Sequence, residues 1–382
     1  MTGPSEPGPL KLQIYVGDLG ATGVVRNALG IANAAAERGW AVRLLTSRDD
    51  GALRGEVDAR VEVIALLGTG SGQQRKHRQR RALLPYRRQL GRWRPDVLFS
   101  AGNHGHLLST LAWHGAPGCK VLRISNALES KGRTSGPLRR WKFQAMVARA
   151  DRLVLVSHAL ARDPLLAPLV ASGKAVVIPN GVDVERVRRE AAAECPHPWL
   201  GAGQAPVVLA VGRHVAQKNF ALLLEGFAIA RQQRAMRLLF LGEGIREAIA
   251  PLQTRATALG VEHDVGFVPP VSNPFPFMRE ASLFALPSLW EGSSNVLLEA
   301  LACGTPIVAS RTAGDAELIL DRGRFGLLAY PADPAEWADA ILRQLSTERV
   351  LPADRADRFS RQAALASYLA LLDECGRLNP HP

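Results

Sequence analysis

Two glutamates eight positions apart, Glu291 and Glu299, flank a run of small polar residues. If a helix opens near Ser294, Glu291 lies in the loop before it and Glu299 about two turns inside, on the same side. The amides of a helix start attract anions, and small capping residues such as Ser293 and Asn295 allow a ligand to approach closely. The segment therefore predicts a phosphate site with two carboxylates beside it. For the pair alone, ordinary loop and helix carboxylates are an equally good interpretation.

Two cations follow a strand-like apolar run at 207–211 in the same half of the chain. Arg213 and Lys218 stand in the turn beyond that run, where two fixed positive charges can grip a diphosphate. Solvated loop charges are the alternative interpretation. The chain contains no GxGxxG, GxxxxGKS/T, GxSxG or HExxH sequence. These absences disfavour a nicotinamide cofactor, a P-loop NTPase, an esterase and a zinc protease.

Apolar runs of strand length alternate with segments long enough for helices, and this alternation predicts parallel sheets flanked by helices. The runs lie at 10–16, 41–45, 96–100, 120–124, 152–156 and 175–178, and then at 207–211, 237–241, 283–286 and 307–309. The turn-forming sequence Pro179–Asp183 separates the two sets. We expect two doubly wound α/β domains, with ligands at the carboxyl ends of the strands and chemistry in the cleft between the domains.

Positive charge is concentrated in the first half. The net charge is +12, with +15 in residues 1–190 and −3 in the remainder, and the densest run spans residues 75–94. A solvated helix face and attraction to an anionic bilayer, with apolar side chains at the interface, both account for this run. Nucleic acid is a third interpretation, but no zinc-finger, RRM or homeodomain signature supports it. The interleaved apolar residues are Leu83, Leu84, Tyr86, Leu90 and Trp93.

Length and composition limit the class of protein. With 382 residues, of which 47% are hydrophobic, the chain predicts a globular protein of two or three domains. No apolar run approaches the roughly 20 residues of a membrane span, and residues 1–9 lack the features of a signal peptide. The four cysteines lie far apart without a CxxC, which favours neither disulfides nor a zinc site. We therefore expect a cytoplasmic protein.

Together these segments resemble glycosyltransferase family 4, the retaining sugar-nucleotide enzymes with the two-domain GT-B fold, whose pattern includes two glutamates at the spacing of Glu291 and Glu299. The resemblance implies two Rossmann-like, doubly wound parallel-sheet domains that face each other across a cleft. The acceptor-binding domain would span 10–180, with a helix at about 360–378 packing back on it, and the donor-binding domain 181–355. The matching segments, in family order, are 22–26, 37–39, 156–157, 179–183, 211–213, 217–219 and 291–310.

The resemblance also implies a role for individual residues. Arg213 and Lys218 would bind the donor diphosphate and compensate its charge as the glycosidic bond breaks, which makes them catalytic together with Glu291. Glu291 would accept hydrogen bonds from the transferred sugar, and Glu299 from the nucleoside ribose. Gly23 would let the backbone of the first domain approach the leaving phosphate. The donor-binding set is completed by Ser293, Ser294 and Asn295.

Two positions depart from the family pattern. The usual glycine pair is Thr22–Gly23 here, and the strand end that commonly carries a histidine is Arg123–Asn126. Arg123 and Asn126, together with His104, are candidates for contact with the sugar or the acceptor. A loop histidine such as His104 is more often structural or solvated, so both interpretations stay open for it.

By resemblance, no cofactor or metal is expected, since the family retains configuration without one and this chain has no DxD sequence. Residues 317–328 are similar to members that build polysaccharides and lipopolysaccharides. The implied function is hexosyl transfer from a UDP-sugar to a membrane-associated glycan or lipid-linked acceptor. The protein would act at the anionic inner face of the cytoplasmic membrane, and no nucleic-acid partner is expected. The alternatives are a non-catalytic nucleotide or nucleic-acid binding protein and a sucrose-synthase-like transferase with a soluble acceptor.

Overall fold

A computed structural model describes residues 8–48, 50–67, 75–126, 137–201, 203–347 and 353–378. The described chain forms two compact units. The first contains the residues up to Pro179 and those from Ala363 onward, and the second spans Asn180–Gln362. Each unit is built on one parallel sheet with helices between its strands.

The first unit holds a seven-stranded sheet in the order β3-β2-β1-β4-β5-β6-β7, with every recorded pairing parallel. Its strands are β1 Lys11–Val16, β2 Ala41–Thr46, β3 Glu62–Ala65, β4 Val97–Ser100, β5 Cys119–Ile124, β6 Arg152–Leu155 and β7 Ala175–Val177. Its helices are α1 Gly23–Glu37, α2 Arg75–Trp93, α3 His106–Ala112, α4 Pro137–Ala148, α5 His158–Ala161 and α6 Ala167–Ala171. In register, Ile14 lies beside Leu44 and Phe99, and all three are fully buried, as expected of a parallel sheet covered on both faces.

The second unit holds a six-stranded parallel sheet in the order β10-β9-β8-β11-β12-β13. Its strands are β8 Val207–Val211, β9 Arg237–Leu241, β10 Val265–Val268, β11 Leu283–Leu286, β12 Ile307–Ser310 and β13 Leu327–Ala329. Its helices are α7 Val184–Ala191, α8 Phe220–Gln233, α9 Arg246–Ala258, α10 Phe275–Glu280, α11 Asn295–Ala302, α12 Ala316–Ile319, α13 Pro334–Ser346 and α14 Ala353–Asp357. The strand order reverses between β8 and β11, so the loops after these two strands are adjacent at the carboxyl edge.

The last helix, α15 Arg361–Leu378, belongs with the first unit over nearly all its length. Leu372 and Cys375 are buried in the core that also contains β1 and β4, and the Tyr368 ring meets Phe99 edge-on at 6.1 Å. Gly376 lies so close to Leu10 that an added Cβ would stand 2.4 Å from the Leu10 side chain. The helix therefore completes the core of the first unit, although it follows the second unit in sequence.

The predicted class of fold, two Rossmann-like doubly wound parallel sheets, is confirmed within each unit. The second unit extends to Gln362, seven residues beyond the expected limit at 355. Three strands were not predicted from the sequence, namely β3, β10 and β13, and each is an edge strand. Among the described residues, no helix combines the length and the apolar character needed to cross a membrane.

Candidate functional site

The centre of the candidate site is an ion pair at the carboxyl edge of the second sheet. Lys218 ends the short 3-10 turn between β8 and α8, and Glu291 lies in the loop between β11 and α11. Lys218 Nζ donates to Glu291 Oε1 at 2.7 Å. The two side chains are 14% and 10% exposed, so they are shielded enough to interact strongly and still open to a ligand. The sequence predicted both residues for the site but not their direct contact.

The Glu291 carboxylate is held by two further side chains. Ser288 Oγ donates to Oε1 at 2.7 Å, and Gln217 Nε2 donates to Oε2 at 3.3 Å and to the carbonyl of Trp290 at 2.9 Å. The backbone N–H of Leu289 donates to the Gln217 carbonyl at 2.9 Å. Both loops are therefore tied together around a carboxylate whose orientation is set in advance, as transition-state stabilisation requires.

Glycines allow the backbone at this edge to pack closely around Lys218. A Cβ on Gly212, which follows β8 with φ +154°, would lie 3.0 Å from Lys218 Cε. A Cβ on Gly242, which follows β9 with φ +145°, would lie only 2.2 Å from the Gly212 carbonyl oxygen. Both positions have backbone angles that disfavour other residues. The Lys218 stem thus lies against a turn that only glycine can form.

Helix α11 begins at Asn295, close to where the sequence placed its start. Ser294 is its N-cap by position and is buried, but its Oγ donates to the Ala313 carbonyl at 3.4 Å instead of capping the helix. Asn295 Oδ1 accepts from Asn180 Nδ2 at 2.8 Å, which joins the helix start to the turn at the beginning of the unit. Ser293 and Glu299 are half-buried. The helix start at which the sequence predicted a phosphate site is therefore a loop held by hydrogen bonds, with two half-buried polar side chains, Ser293 and Glu299.

Arg213 is exposed in the turn after β8, and among the described residues no carboxylate lies within ion-pair distance of it. Its neighbour His214, which sequence reasoning missed, is buried. His214 donates its backbone N–H to the Glu243 carbonyl at 2.8 Å, and its Nδ1 lies 3.2 Å from the same oxygen. The ring packs edge-on against Phe220 at 5.2 Å. His214 therefore anchors the turn that presents Arg213, a role for which the sequence carries no signal beyond adjacency.

In the first unit, Gly23 is the first residue of α1 and is half-buried. Thr22 caps the helix, its Oγ1 accepting from the N–H of Val25 at 3.3 Å. The Gly23 carbonyl accepts from Asn27 Nδ2 at 3.1 Å. The Thr22–Gly23 departure from the usual glycine pair thus replaces one flexible residue with a helix cap.

Arg123 lies inside the first unit and is 1% exposed. Its Nε donates to Tyr368 Oη at 2.9 Å, and Nη1 donates to the Ala101 carbonyl at 3.1 Å. The side chain expected to contact sugar or acceptor therefore points into the core, where it supports the end of β4 and contacts α15.

Asn103 joins the two loops that carry the remaining predicted acceptor residues. Its Oδ1 accepts from the N–H of Ser125 at 2.8 Å, and its Nδ2 donates to the Asn126 carbonyl at 3.2 Å. Asn126 is half-buried and His104, next to Asn103, is exposed. The structure thus brings the backbone around His104 and Asn126 to one place at the carboxyl edge, and Asn103 was not predicted from the sequence.

A buried histidine beneath these loops was also missed. His106 Nε2 lies 3.0 Å from the Arg123 carbonyl, which can only accept, so Nε2 carries the proton and Nδ1 accepts from Ser100 Oγ at 2.8 Å. Burial lowers the pKa of His106 to about 3, so the ring is neutral near pH 7. His106 thus fixes the ends of β4 and β5 without carrying charge.

The basic segment forms α2, but most of its apolar residues are not at the surface. Tyr86 and Leu90 are buried, and Leu83 packs against the same core. Trp93 is half-buried, and the guanidinium carbon of Arg43 lies over its ring, 4.5 Å from the ring centre. Leu84 is the exception, at 66% exposed. The expected apolar anchors therefore hold the helix to its unit, while the side chains of residues 75–78 lie outside the described part.

Other exposed apolar side chains lie on the neighbouring helix. Leu107 and Leu111 of α3 are each about half exposed, and Arg87 of α2 donates from Nη1 to the Leu111 carbonyl at 3.3 Å. The two helices thus lie side by side, and their exposed side chains include both leucines and arginines. Sequence reasoning missed the α3 leucines because their burial depends on what packs against them.

Comparison with known proteins matches two family models to this chain. The model described as Glycosyltransferase Family 4 matches residues 21–186, and the model described as Glycosyl transferases group 1 matches residues 205–347.

Curated relatives include the Rhizobium meliloti lipopolysaccharide core biosynthesis glycosyltransferase LpsE, 36% identical over 44% of this chain and 50% of that protein. A Corynebacterium jeikeium D-inositol 3-phosphate glycosyltransferase is 31% identical over 60% of this chain and 59% of that protein. The chain thus matches between half and three fifths of the length of these two relatives.

Solved structures share the fold. A glycosyltransferase from Rickettsia africae has a TM-score of 0.76 at 15% identity, covering 96% of this chain and 98% of that one. Anabaena HepE, solved in complex with UDP, has a TM-score of 0.75 at 18% identity, covering 96% and 100%.

Proposed function

This chain belongs to glycosyltransferase family 4, and from that premise we propose that it transfers a hexosyl group from a nucleoside diphosphate sugar to an acceptor hydroxyl. The donor we propose is a UDP-sugar, and the acceptor a membrane-associated glycan or lipid-linked sugar in polysaccharide or lipopolysaccharide synthesis. The anomeric configuration would be retained, as the family resemblance implies.

The ion pair between Lys218 and Glu291 is the observation that carries the proposal. An ammonium group has three N–H donors, and Glu291 takes one of them at 2.7 Å. The other donors can serve phosphate oxygens, and the positive charge compensates the charge that grows on the leaving diphosphate. Among the residues that the structure describes, only Gln217 donates to Glu291 Oε2, through a long 3.3 Å bond, so this oxygen can accept a hydroxyl of the transferred sugar.

The bond changes of the proposed reaction balance without a cofactor. The bond between the anomeric carbon and the diphosphate oxygen breaks, and its electron pair stays on the phosphate. The acceptor oxygen bonds to the same carbon on the face that the phosphate leaves, and the acceptor proton passes to the departing phosphate oxygen. Lys218 and Arg213 would stabilise that phosphate, and no side chain needs to act as a nucleophile.

The remaining donor contacts are proposed residue by residue. Arg213 is exposed and has no carboxylate within ion-pair distance among the described residues, so its guanidinium can grip the diphosphate with two N–H groups. Glu299 would accept from the ribose hydroxyls, and the loop at 293–295 would approach the phosphates. Gly23 would contribute backbone to the leaving group, while His104 and Asn126 would face the acceptor. Arg123 would act only by supporting their loops.

The membrane part of the proposal rests on the surface formed by α2 and α3. Exposed leucines there, Leu84, Leu107 and Leu111, stand among arginines and no acidic residue occurs between positions 63 and 95. Apolar side chains among cations suit the interface of an anionic bilayer. We therefore propose peripheral binding at the inner face of the cytoplasmic membrane, and the relative named for lipopolysaccharide core synthesis supports this choice of acceptor.

A soluble phosphorylated polyol is a second candidate acceptor. Several curated relatives are named D-inositol 3-phosphate glycosyltransferases, at 30 to 35% identity. The two candidates differ in one measurable respect, because only a membrane acceptor requires the enzyme to bind vesicles. Flotation with anionic vesicles at physiological salt separates them.

Donor binding is the first test, since it needs no acceptor. UDP, GDP, ADP and their hexose conjugates are titrated by calorimetry and thermal shift, because a ligand that binds the folded state raises its melting temperature. We expect selective stabilisation by UDP compounds, lost in Lys218→Ala and kept in Lys142→Ala, a matched exposed lysine of the first unit. Absence of any response in the wild-type protein would refute the proposal.

A further inference from the structure

A cavity of about 220 Å³ opens in the first unit between the end of β3 and the second half of α2. Its lining belongs entirely to this unit, and none of the donor residues proposed above contributes to it. The lining residues are Ala65, Leu66, Pro85, Arg88, Gln89 and Arg92. It is therefore a half-open hollow whose polar side chains all come from α2.

The two arginines of this cavity have no negative partner in the described chain. Arg88 and Arg92 are four residues apart, which places them on one face of α2, where like charges destabilise a helix. Neither lies within ion-pair distance of a carboxylate among the described residues. The nearest preceding acidic residue, Glu62, is bound by Arg43 Nε at 2.6 Å.

Sequence supports the same conclusion for the whole segment. From Val63 to Pro95 the chain contains nine Lys or Arg residues and no Asp or Glu. Local residues therefore cannot neutralise Arg88 and Arg92, and the helix keeps a repulsive pair beside a cavity. An external anion would relieve that repulsion.

The donors in the cavity suit a tetrahedral oxyanion. Each guanidinium presents N–H groups in a rigid fork that matches phosphate oxygens, and the Gln89 amide adds another donor between them. A phosphoryl group with three terminal oxygens can accept from both forks, whereas a carboxylate has two oxygens and one charge. Leu66 and Pro85 border the site, while Arg88 and Arg92 are exposed and can reach a ligand from solvent.

We propose that the cavity defined by Arg88 and Arg92 binds the phosphoryl group of a second ligand, separate from the sugar donor. The group is either a phosphate headgroup in a bilayer or a free phosphorylated molecule, and the chemistry that recognises it is the same. The site lies in the first unit alone, so it is separate from the proposed donor site, whereas its headgroup form rests on the membrane binding of α2 proposed above.

Calorimetry with inorganic pyrophosphate and cosedimentation with phosphatidylcholine vesicles containing phosphatidic acid test the two sources on the full chain. The double variant Arg88→Gln/Arg92→Gln is compared with Arg54→Gln/Arg149→Gln, which removes the same charge from exposed positions of the first unit outside α2 and α3. We expect the first to weaken binding of at least one probe by about tenfold or more, and the second by about twofold. Binding of pyrophosphate but not of vesicles indicates a free phosphorylated ligand. Binding of vesicles but not of pyrophosphate indicates a lipid headgroup.

Two further variants keep the test specific. Lys218→Ala must retain the pyrophosphate binding that depends on Arg88 and Arg92, because the donor site lies in the other unit. Arg88→Lys/Arg92→Lys keeps the charge but removes the forks, and we expect it to recover less than half of the lost affinity. The proposal would be overturned if both glutamine double variants lost affinity equally, if the lysine double variant recovered the full affinity, or if the wild-type protein bound neither probe.

Discussion

Arg123 and Tyr368 stand 245 positions apart in sequence, yet the guanidinium Nε of the first donates to the phenol oxygen of the second at 2.9 Å inside the first unit. The bond joins β5 to α15, which also buries Leu372 and Cys375 against the sheet. Because the donor is charged and buried, the acceptor matters more than in an average hydrogen bond.

We expect Tyr368→Phe to lower the free energy of unfolding of the first unit by about 1.5–3 kcal/mol, since it leaves a buried charged donor without this acceptor. Chemical denaturation followed by circular dichroism measures the change. Tyr330→Phe, an exposed tyrosine of the second unit, is the matched control and should change stability by less than about 0.5 kcal/mol. Equal effects of the two substitutions would contradict the role of the buried bond.

Replacement of Lys218 by Ala should reduce the transfer rate by about 100-fold to 1,000-fold, because it removes a preorganised cation from the leaving group. Glu291→Gln should reduce kcat by a similar factor but leave nucleotide affinity within about threefold, because the proposed contact of Glu291 is with the sugar. Initial rates and calorimetry on the two variants separate these effects.

Arg343→Ala, on an exposed face of α13, serves as the surface control for these rates. The melting temperature of each variant checks that it folds. We expect Lys218→Ala to keep the loop in place, because Ser288 and Gln217 also donate to Glu291. Turnover near the wild-type rate in both site variants would remove the ion pair from the mechanism.

Substitution of Gly242 by Ala should destabilise the second unit by at least about 2 kcal/mol, since it combines unfavourable positive φ with a clash. The new Cβ would stand 2.2 Å from the Gly212 carbonyl oxygen, in the turn that carries Lys218. Gly260→Ala, where φ is +67° but the space is open, isolates the backbone strain, for which we expect about 1 kcal/mol. Similar melting temperatures for both variants would show that close packing at Gly242 is unimportant.

Stability of the first unit should depend on pH through His106. Its pKa is about 3 when folded against about 6.5 when unfolded, so the unfolded chain binds more protons between these values. The free energy of unfolding should therefore be fully developed above pH 6.5 and fall by up to about 1.4 kcal/mol per pH unit as the pH decreases below it.

Denaturation curves between pH 7 and 4.5 measure that slope in the wild type and in His106→Gln, which removes the titration. We expect a shallower slope in His106→Gln and an unchanged slope in His263→Gln, whose side chain is 95% exposed. A slope that is the same in His106→Gln as in the wild type would assign the pH dependence to other groups.

Vesicle binding should depend on the leucines that α3 exposes. Leu107→Ser/Leu111→Ser should weaken cosedimentation with phosphatidylglycerol vesicles by about tenfold, given about 25 cal/mol for each Å² of apolar surface withdrawn from water. Val215→Ser/Ile245→Ser removes exposed apolar surface from the second unit and should have little effect. If both double variants bind vesicles as the wild type does, the α2 and α3 surface is not the membrane contact.

The strands that the sequence missed have a common physical cause. In β3, three of the four residues are half-buried and one is exposed, and in β10 three of the four are half-buried. An edge strand has a neighbour on one side only, so its sequence need not form a continuous apolar run. Central strands such as β4 and β11 are buried at every position and were readily predicted.

The sequence left the surroundings of the apolar residues in the basic helix open for a related reason. Periodicity distinguishes one helix face from another, but it does not tell whether an apolar face meets a core or a bilayer. Tyr86 and Leu90 meet the core of the first unit, whereas Leu84 remains exposed. Only the packing of α2 against the sheet and against α3 decides which of these residues are buried and which are exposed.

Residue type and spacing by themselves determined the alternating α/β architecture and the order of its motifs, and they predicted a phosphate site at Arg213, Lys218 and Glu291, because hydrophobic period, turn chemistry and helix starts are local properties. Tertiary structure alone decided that Lys218 and Glu291 form a 2.7 Å ion pair and that Arg123 turns inward to Tyr368. Both contacts depend on which strands become neighbours and where the last helix packs. Those choices are set by burial of surfaces distant in sequence, which no local pattern records.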